Sequence, residues 1–413
     1  MQSTEPDWLT RLRRSAAEAF DSLPFPVQKD KGWEFTDLSR LSLEQYPATN
    51  GAGREWQSSR EPVIDASALA SIRSIDGSAQ RDGPELPDGV IVASLAEAAE
   101  RYGDLVEPHL GSLVSDRDKF AAQNTADWRA GAFVYVPKGV TVLEPIVIST
   151  LQSAEGAMHW RSLIVVEEAA DVVVAEQYMS RTNDLDAYFN PVTELIVGPG
   201  ASLQYLCVQD LSERSWILGN QRARVANDAS LHWIGLGLGS GQGKLRMETD
   251  LQGRGASGRV SGAFIGHGTQ HIDYDTTQEH AAPDTTSDLA FRGILRDRAT
   301  AVWSGMIKVD PDAQRTDAFQ ESRNLLLSDR AHADAIPGLE IEANDVRCTH
   351  AATIGKIDPE QLFYLQSRGL PHEDAARLLV GGFIGAVAAR LEGSRLHGPV
   401  ALALERELEL ALA

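Results

Sequence analysis

The stretch PGASLQY (199–205) decides the fold. A Pro-Gly turn signal and a small pair, Ala201-Ser202, launch a run suited to a pleated sheet. The device recurs in EAADVVV (168–174), NDASLHW (227–233), RGASGRV (254–260) and DRATAVW (297–303). The Ala-Ser pairs begin at Ala201, Ala229 and Ala256, steps of 28 and 27 residues, and Ala170 stands 31 before the first. Recurrence at this spacing marks a solenoid or array. The unit holds strands and turns without a helix, so the expected fold is a β-solenoid whose coils cover each other's edges. A sandwich with similar turns is the competing fold.

Outward from that stretch the β texture begins near 131, with FVYVP, PIVIS, SLIVVEE, DVVVAEQY and TELIVG, and runs on to AVWSGMIKV. Helical periodicity is largely absent until after 355. The first hundred residues read as mixed and mostly helical. Trp8, Leu9, Leu12, Ala16, Phe20 and Leu23 recur near a 3.6 period, KGWEFTDLSRL (31–41) is aromatic and acidic, 48–88 reads as loop or linker, and 94–114 is helical again. At the other end, DPEQLFYLQSRG (358–369) offers Asp358 as N-cap, Pro359 at N1, Gln361 as capping-box partner and Gly369 as stop. The next helix, 371–393, carries Leu379, Phe383, Ala386 and Arg390 on one stripe, with Gly381, Gly382 and Gly385 set for close helix approach. A last helix closes the chain. The expected divisions are 1–115, mostly helical; 116–345, β core; and 346–413, a helical unit that serves either as a cap on the solenoid or as a docking surface.

The chain has 413 residues, 43 % hydrophobic and 23 % charged, with a formal net charge of −21. That is globular composition, long enough for two or three compact units. So acidic a chain lacks the basic face that nucleic acid or an anionic membrane requires. Two cysteines give no disulfide framework, no apolar segment opens the chain, and LLVGGFIGAVAA (378–389) is too short to span a bilayer. The expected setting is cytoplasmic.

Several motifs fail on inspection. GSGQGKL (239–245) has Leu238 where a phosphate loop needs its first Gly, and Leu245 where it needs Ser or Thr. GRGASG (253–258) matches GxGxxG, yet it continues as a strand and offers no helix N-terminus to a pyrophosphate. No nucleophile elbow or HExxH is present. His267, His271 and His280 form either a weak metal set or, as the favoured reading, a hydrogen-bonded polar turn layer. Cys348 and His350 are alternate residues of an extended segment and so share a side. Thiolate and imidazole suit iron, zinc or copper, but two ligands need completion from elsewhere. The alternative for Cys348 is an ordinary buried cysteine.

From 275 onward the sequence resembles the SufB/SufD family of iron–sulfur cluster assembly scaffolds. SRNLLLS (322–328), the PGLEI to Gly355 run (337–355), QLFYLQSRG (361–369) and, near the start, GWEFTDL carry the likeness. With only two cysteines the chain resembles the D-type rather than the B-type subunit, although Ala351 stands where many D-type members have Gly. The resemblance implies a right-handed parallel β-helix between helical terminal units and a non-catalytic scaffold role in the SUF system. It implies partnership with a B-type subunit (SufB) and with the SufC ATPase, docked on the C-terminal helices; Phe363 and Phe383 are expected either in or beside those docking helices or in the core. It also implies a transient iron–sulfur cluster at the B/D interface, with Cys348 and His350 as candidate ligands and no tightly bound cofactor. A homodimer is a further possible assembly. The other readings are a polysaccharide-active β-helix enzyme and a metal-free structural adaptor.

Overall fold

Each turn of the repeat sets one residue in left-handed backbone just before a small buried one. The computed structural model of the chain describes residues 5–49, 55–65, 70–114 and 118–412. In it the pairs are Ala169-Ala170, Gly200-Ala201, Asp228-Ala229 and Gly255-Ala256, with φ of 56°, 63°, 55° and 72° at the first member. The second members are at most 1 % exposed. Glycine takes this conformation freely and Asp tolerates it. The series continues through Asp284-Thr285 and Arg315-Thr316, at 63° and 60°. There Thr replaces Ala, and the two hydroxyls bond to each other at 3.1 Å.

The chain opens with helix α1 (Asp7–Ser22), then the hairpin β1 (Ser71–Ile75) and β2 (Ser78–Asp82), then β3 (Ile91–Ser94). Helices α2 (Leu95–Arg101), α3 (Gly103–Val106) and α4 (Lys119–Asp127) follow. The coils then alternate between two sheets. Their strands are β4 (Ala130–Val136), β5 (Ile146–Gln152), β6 (Gly156–Val166), β7 (Asp171–Ser180), β8 (Ala187–Val197), β9 (Ser202–Asp210), β10 (Trp216–Val225) and β11 (Ser230–Gly237). They continue as β12 (Gln242–Leu251), β13 (Ser257–Gly266), β14 (His271–His280), β15 (Thr286–Leu295), β16 (Thr300–Val309), β17 (Asp317–Leu326), β18 (His332–Ile341) and β19 (Arg347–Gly355). Helices α5 (Pro359–Ser367), α6 (His372–Ala389) and α7 (His397–Leu412) complete the chain.

Even-numbered strands from β4 to β18 lie side by side in one sheet and odd-numbered strands from β5 to β19 in the other, a solenoid of about 8 turns. All these pairings are parallel, and register locks the repeat: Asp171 faces Ser202, Ser202 faces Ser230, and Ser230 faces Ser257. Four of the five repeated stretches therefore stack in one sheet. The fifth, DRATAVW, opens β16 in the other. Inward residues fill the lumen, where Tyr205 meets Trp233 edge-on at 5.8 Å and Tyr274 lies 5.2 Å from Phe291. The glycines of GRGASG serve this stacking. A Cβ on Gly253 would lie 1.9 Å from the Asn227 nitrogen of the adjacent coil.

Helices cover the flanks of the stack. Leu95, Ala98 and Val106 pack with Leu9 of α1 against Phe133, Leu163 and Val165. On the other sheet, Val380, Ile384 and Val387 of α6, with Val400, Leu404 and Leu408 of α7, cover Leu206, Val208, Ile234, Leu236 and Ile265. Strands β5 and β6 are buried on both faces along their whole length, polar residues such as Gln152 and Arg161 included.

Some details depart from the expectations. The buried stripe of α6 is Ala375, Val380, Ile384, Val387 and Ala388, while Ala386 is exposed and Leu379, Phe383 and Arg390 are half-buried. Burial follows the tilt of α6 over the sheet. Of the three glycines only Gly381 has a near neighbour, with Leu408 Cδ2 3.5 Å from where a Cβ would sit. The last two helices lie along a flank and do not cap the stack. Strand β19 falls C-terminal to the 345/346 division, and the region before residue 115 contributes three strands as well as helices. The 115/116 division, and parts of 48–88 and of the N-terminus, lie outside the described residues. The capping of α5 is as expected at Asp358, whose carboxylate accepts the Glu360 N–H at 2.9 Å, and Gly369 turns left-handed at 95°.

One buried ion pair fastens the N-terminal elements to the stack. The Glu194 carboxylate takes Arg161 Nη2 at 2.6 Å and the N–H groups of Gly111, Leu113 and Val114 at 2.8, 2.9 and 3.2 Å. Both charged side chains are fully buried. Arg161 also donates to Asn124 and Thr125 of α4, at 3.2 and 2.9 Å. Glu194→Ala strands a buried guanidinium and three N–H groups, so it lowers stability by roughly 3–5 kcal/mol in urea unfolding. Glu168→Ala, which breaks the exposed pair with Lys138, changes it by less than about 1 kcal/mol.

Candidate functional site at the end of the solenoid

The two ends of the stack are built differently. At the N-terminal end β3 joins β4 antiparallel, and the hairpin β1–β2 completes the other sheet. At the C-terminal end β18 and β19 are the last strands, and among the described residues no strand pairs with their outer edges. Their outer backbone N–H and C=O groups form two rows open to a partner.

Strand register places the two candidate ligands. Cys348 lies opposite Ala318 and His350 opposite Gln320. Those β17 residues are inward-facing and 1 % and 0 % exposed, so Cys348 and His350 share the lumen side. With no coil beyond, inward positions here meet solvent. His350 is exposed and Cys348 half-buried against Ile307, Val309, Ala313, Ala318 and Ala343. Leu339 and Ile341 of β18 face the same opening at 36 % and 40 % exposure, and Ile354 at 44 %. The result is an apolar rim carrying one thiol and one imidazole.

Burial, helped by the Asp317 carboxylate, holds the Cys348 thiol above its ordinary value, so it stays protonated at neutral pH. A metal would displace that proton on binding. Among the described residues no three His, Cys, Asp or Glu side chains gather as a metal-holding set.

The three histidines of 267–280 do not converge. His271 and His280 are nine residues apart on β14, an odd step that points them to opposite faces of the sheet. His271 Nδ1 bonds Thr300 Oγ1 at 2.8 Å outside, and His280 bonds Thr285 and Ser287 at 2.8 and 2.9 Å inside. His267 stands in the preceding turn, 3.7 Å from Glu213. His271 and His280 are thus hydrogen-bonded polar positions on two faces of the sheet, not one layer.

The sequence reading missed a polar cluster inside the lumen. The Glu176 carboxyl accepts from Trp160 Nε1 at 2.6 Å, from Ser162 Oγ at 2.5 Å and from the Tyr205 hydroxyl. Beside it, burial and the Glu176 charge push the Cys207 thiol up to about 12. Its sulfur accepts from Gln221 Nε2 at 3.2 Å. A lone Glu within the apolar run DVVVAEQY was the available signal. The reading also missed the partner of Trp33: in GWEFTDL its ring carries Arg246 at 5.2 Å, while Thr36 donates to Asp273 at 2.5 Å.

A second surface lies between α6 and α7. A groove of about 530 Å³ is lined by Leu378, Gly382, Gly385, Ala401, Leu404 and Glu405 among others. Nearby on α5, Phe363 is 72 % exposed. Phe383 is half-buried beneath Arg292, 5.9 Å away.

Two family models cover most of the chain. Residues 149–383 match the SufBD core domain of the SUF iron–sulfur cluster assembly system, and residues 1–148 match the SufBD N-terminal region. The chain belongs to the SufBD family. It is 34 % identical to the iron–sulfur cluster assembly protein SufD of Bacillus subtilis, over 98 % of this chain and 95 % of the relative. Against SufB of the same organism identity is 28 %, over 92 % of this chain and 85 % of that one. A SufBD family protein of Mycobacterium tuberculosis is 30 % identical over 94 % of this chain and 91 % of its own length. This SufBD member is thus nearer to the SufD than to the SufB of one organism. Among its described residues no helix is long and apolar enough to cross a membrane.

Two measurements follow. In the folded protein maleimide modifies Cys348 alone, with a rate that climbs about tenfold per pH unit between 7 and 9, and Cys207 reacts only after unfolding. Labelling of native Cys207 would contradict its burial. His280 is held neutral by burial, at about 4 against an ordinary 6.5. Its contribution to stability is complete above 6.5 and is lost as pH falls towards 4. His280→Asn, less stable at neutral pH, loses less melting temperature across that interval than the wild type.

Proposed function

We propose that this SufBD protein is a non-catalytic scaffold subunit that pairs with a B-type subunit through the free edges of β18 and β19, and that a nascent iron–sulfur cluster is assembled at that junction. The observation that carries the reading is the coincidence of two features: the coil with unpaired edges is the coil that bears Cys348 and His350 on its inward side. A partner strand added to either edge satisfies the open backbone groups and buries the apolar rim. Cys348 and His350 then supply two ligands to the cluster, which is cargo here, and the partner completes its coordination. The helical part of 346–413 is the docking unit for the SufC ATPase, with the α6–α7 groove and Phe363 as its contact surface. The relatives named as assembly proteins favour a scaffold role over polymer hydrolysis. The setting consistent with this is cytoplasmic. A homodimer through the same edges is the resting assembly when no B-type subunit is present.

The test is anaerobic reconstitution with a B-type subunit and the ATPase, read by iron and sulfide content. Cys348→Ala combined with His350→Ala lowers cluster yield at least about tenfold while the complex still forms. Ile341→Lys at the edge prevents pairing, and Phe363→Asp releases the ATPase but leaves the B-type subunit bound. Undiminished cluster formation in the double variant would remove Cys348 and His350 from the site.

A further inference from the structure

Residues 55–65 run as an extended strap between the β7/β9 region of the stack and helix α7. The Gln177 side chain grips the strap from both sides of its amide. Its oxygen accepts from the N–H groups of Val63 and Ile64 at 3.0 and 3.3 Å, and its nitrogen donates to the Ile64 carbonyl at 2.9 Å. Upstream, the Ser59 N–H donates to the Arg181 carbonyl at 2.8 Å and Ser58 Oγ to the Ser180 carbonyl at 3.0 Å. Ile64 and Val63 belong to the same apolar cluster as Val400, Leu404 and Leu408 of α7.

At the centre of the strap stands Arg60. Its Nη1 lies 2.5 Å from Asp210 Oδ1, at the end of β9, and 3.8 Å from Glu407 Oε2, on α7. Its Nε donates to Asn183 at 3.1 Å, and Nη2 is 3.9 Å from Glu213. Asp210 and Glu407 are 3 % and 7 % exposed, and Arg60 is 11 %. Two nearly buried carboxylates, one at the end of β9 and one on α7, therefore share a cation that the strap supplies. Arg406 of α7 ties the same elements, with Nε 3.4 Å from Glu407 and Nη1 donating to the Glu61 carbonyl at 3.0 Å.

We propose that the seating of helix α7 on the stack and the seating of the 55–65 strap are one linked equilibrium, with Arg60 as the positioning residue. Without the strap, Asp210 loses its direct ion pair and Arg406 alone is left to offset two nearly buried carboxylates, so α7 is held less firmly. Without α7, the strap loses the apolar cover of Ile64 and half the counter-charge of Arg60. A ligand that displaces α7 thus frees a segment of the N-terminal region, and one that captures the strap loosens α7. The inference rests on these contacts alone and stands whatever occupies the α6–α7 groove.

Hydrogen exchange read by mass spectrometry on the full chain tests it. Arg60→Gln raises exchange both in 55–65 and in 397–412 by about tenfold or more, with β12, β14 and β16 of the opposite sheet unchanged. Adding Asp210→Asn and Glu407→Gln removes the buried charges and returns α7 towards wild-type protection. Faster exchange in the strap alone, with α7 at the wild-type rate, would overturn the proposal. Should Arg60→Gln fail to fold, Gln177→Ala loosens the strap without touching a charge. Linkage requires α7 to exchange faster in that variant too, and an unchanged α7 refutes it.

Discussion

A stack of parallel coils must stop somewhere, and at each stop two strands are left with one unbonded edge. Every interior coil here exchanges hydrogen bonds with the coil on either side, and its inward residues are covered above and below. The terminal coils have this on one side only. At the N-terminal end the problem is solved within the chain, by antiparallel β3 and the β1–β2 hairpin. At the C-terminal end no strand among the described residues does so, and β18 and β19 keep their outer edges unpaired. The position of Cys348 and His350, their exposure and the apolar residues around them all follow from that difference.

The same constraint explains which part of the fold was legible. Coil stacking demands a left-handed residue and a small inward residue at each turn, and this printed itself as Gly200-Ala201, Asp228-Ala229 and Gly255-Ala256. It was invisible where Thr285 and Thr316 meet the same demand, because a threonine methyl fits where an alanine does and its hydroxyl finds a partner on the next coil. Helix α5 was readable from Asp358, Pro359 and Gly369, since capping is local chemistry. The buried face of α6 was not, because that face is set by the sheet beneath it. The 55–65 strap was read as linker for the same reason. Its structure comes from Gln177, Asp210 and Glu407, each more than a hundred residues away in sequence.

The candidate site was half legible. Alternation in an extended segment correctly put Cys348 and His350 on one side. It gave no means of knowing that this strand is the last in its sheet. The odd spacing of His271 and His280 already argues against a shared ligand once that segment is taken as a strand, and the β14 register confirms opposite faces. Cys207 and Cys348 look alike in sequence. Cys207 lies in the sealed lumen beside a buried carboxyl, whereas Cys348 lies in the last coil, with no further strand beyond it among the described residues.

The placement of the C-terminal helices gives the architecture its consequence. Had α5–α7 folded over the last coil, they would have satisfied the open edges and buried the rim, leaving a closed monomer. Instead the apolar stripe Val380, Ile384, Val387 is matched to outward residues of β9, β11 and β13, several coils back along the flank. Arg390 fixes that choice: its Nε donates to Ser261 Oγ at 2.9 Å, and its Nη2 pairs with Asp288 Oδ2 at 2.9 Å. The same Ser261 hydroxyl, which accepts from Arg390, also bonds His232 Nε2 at 3.0 Å. Burial, then Arg259 and Arg390, hold that imidazole at about 4, so it is uncharged at neutral pH beside the two guanidinium groups. Helices α6 and α7 are thus pinned to the flank by an apolar stripe and by the Arg390 contacts, and the end of the stack stays uncovered because these two helices are committed elsewhere.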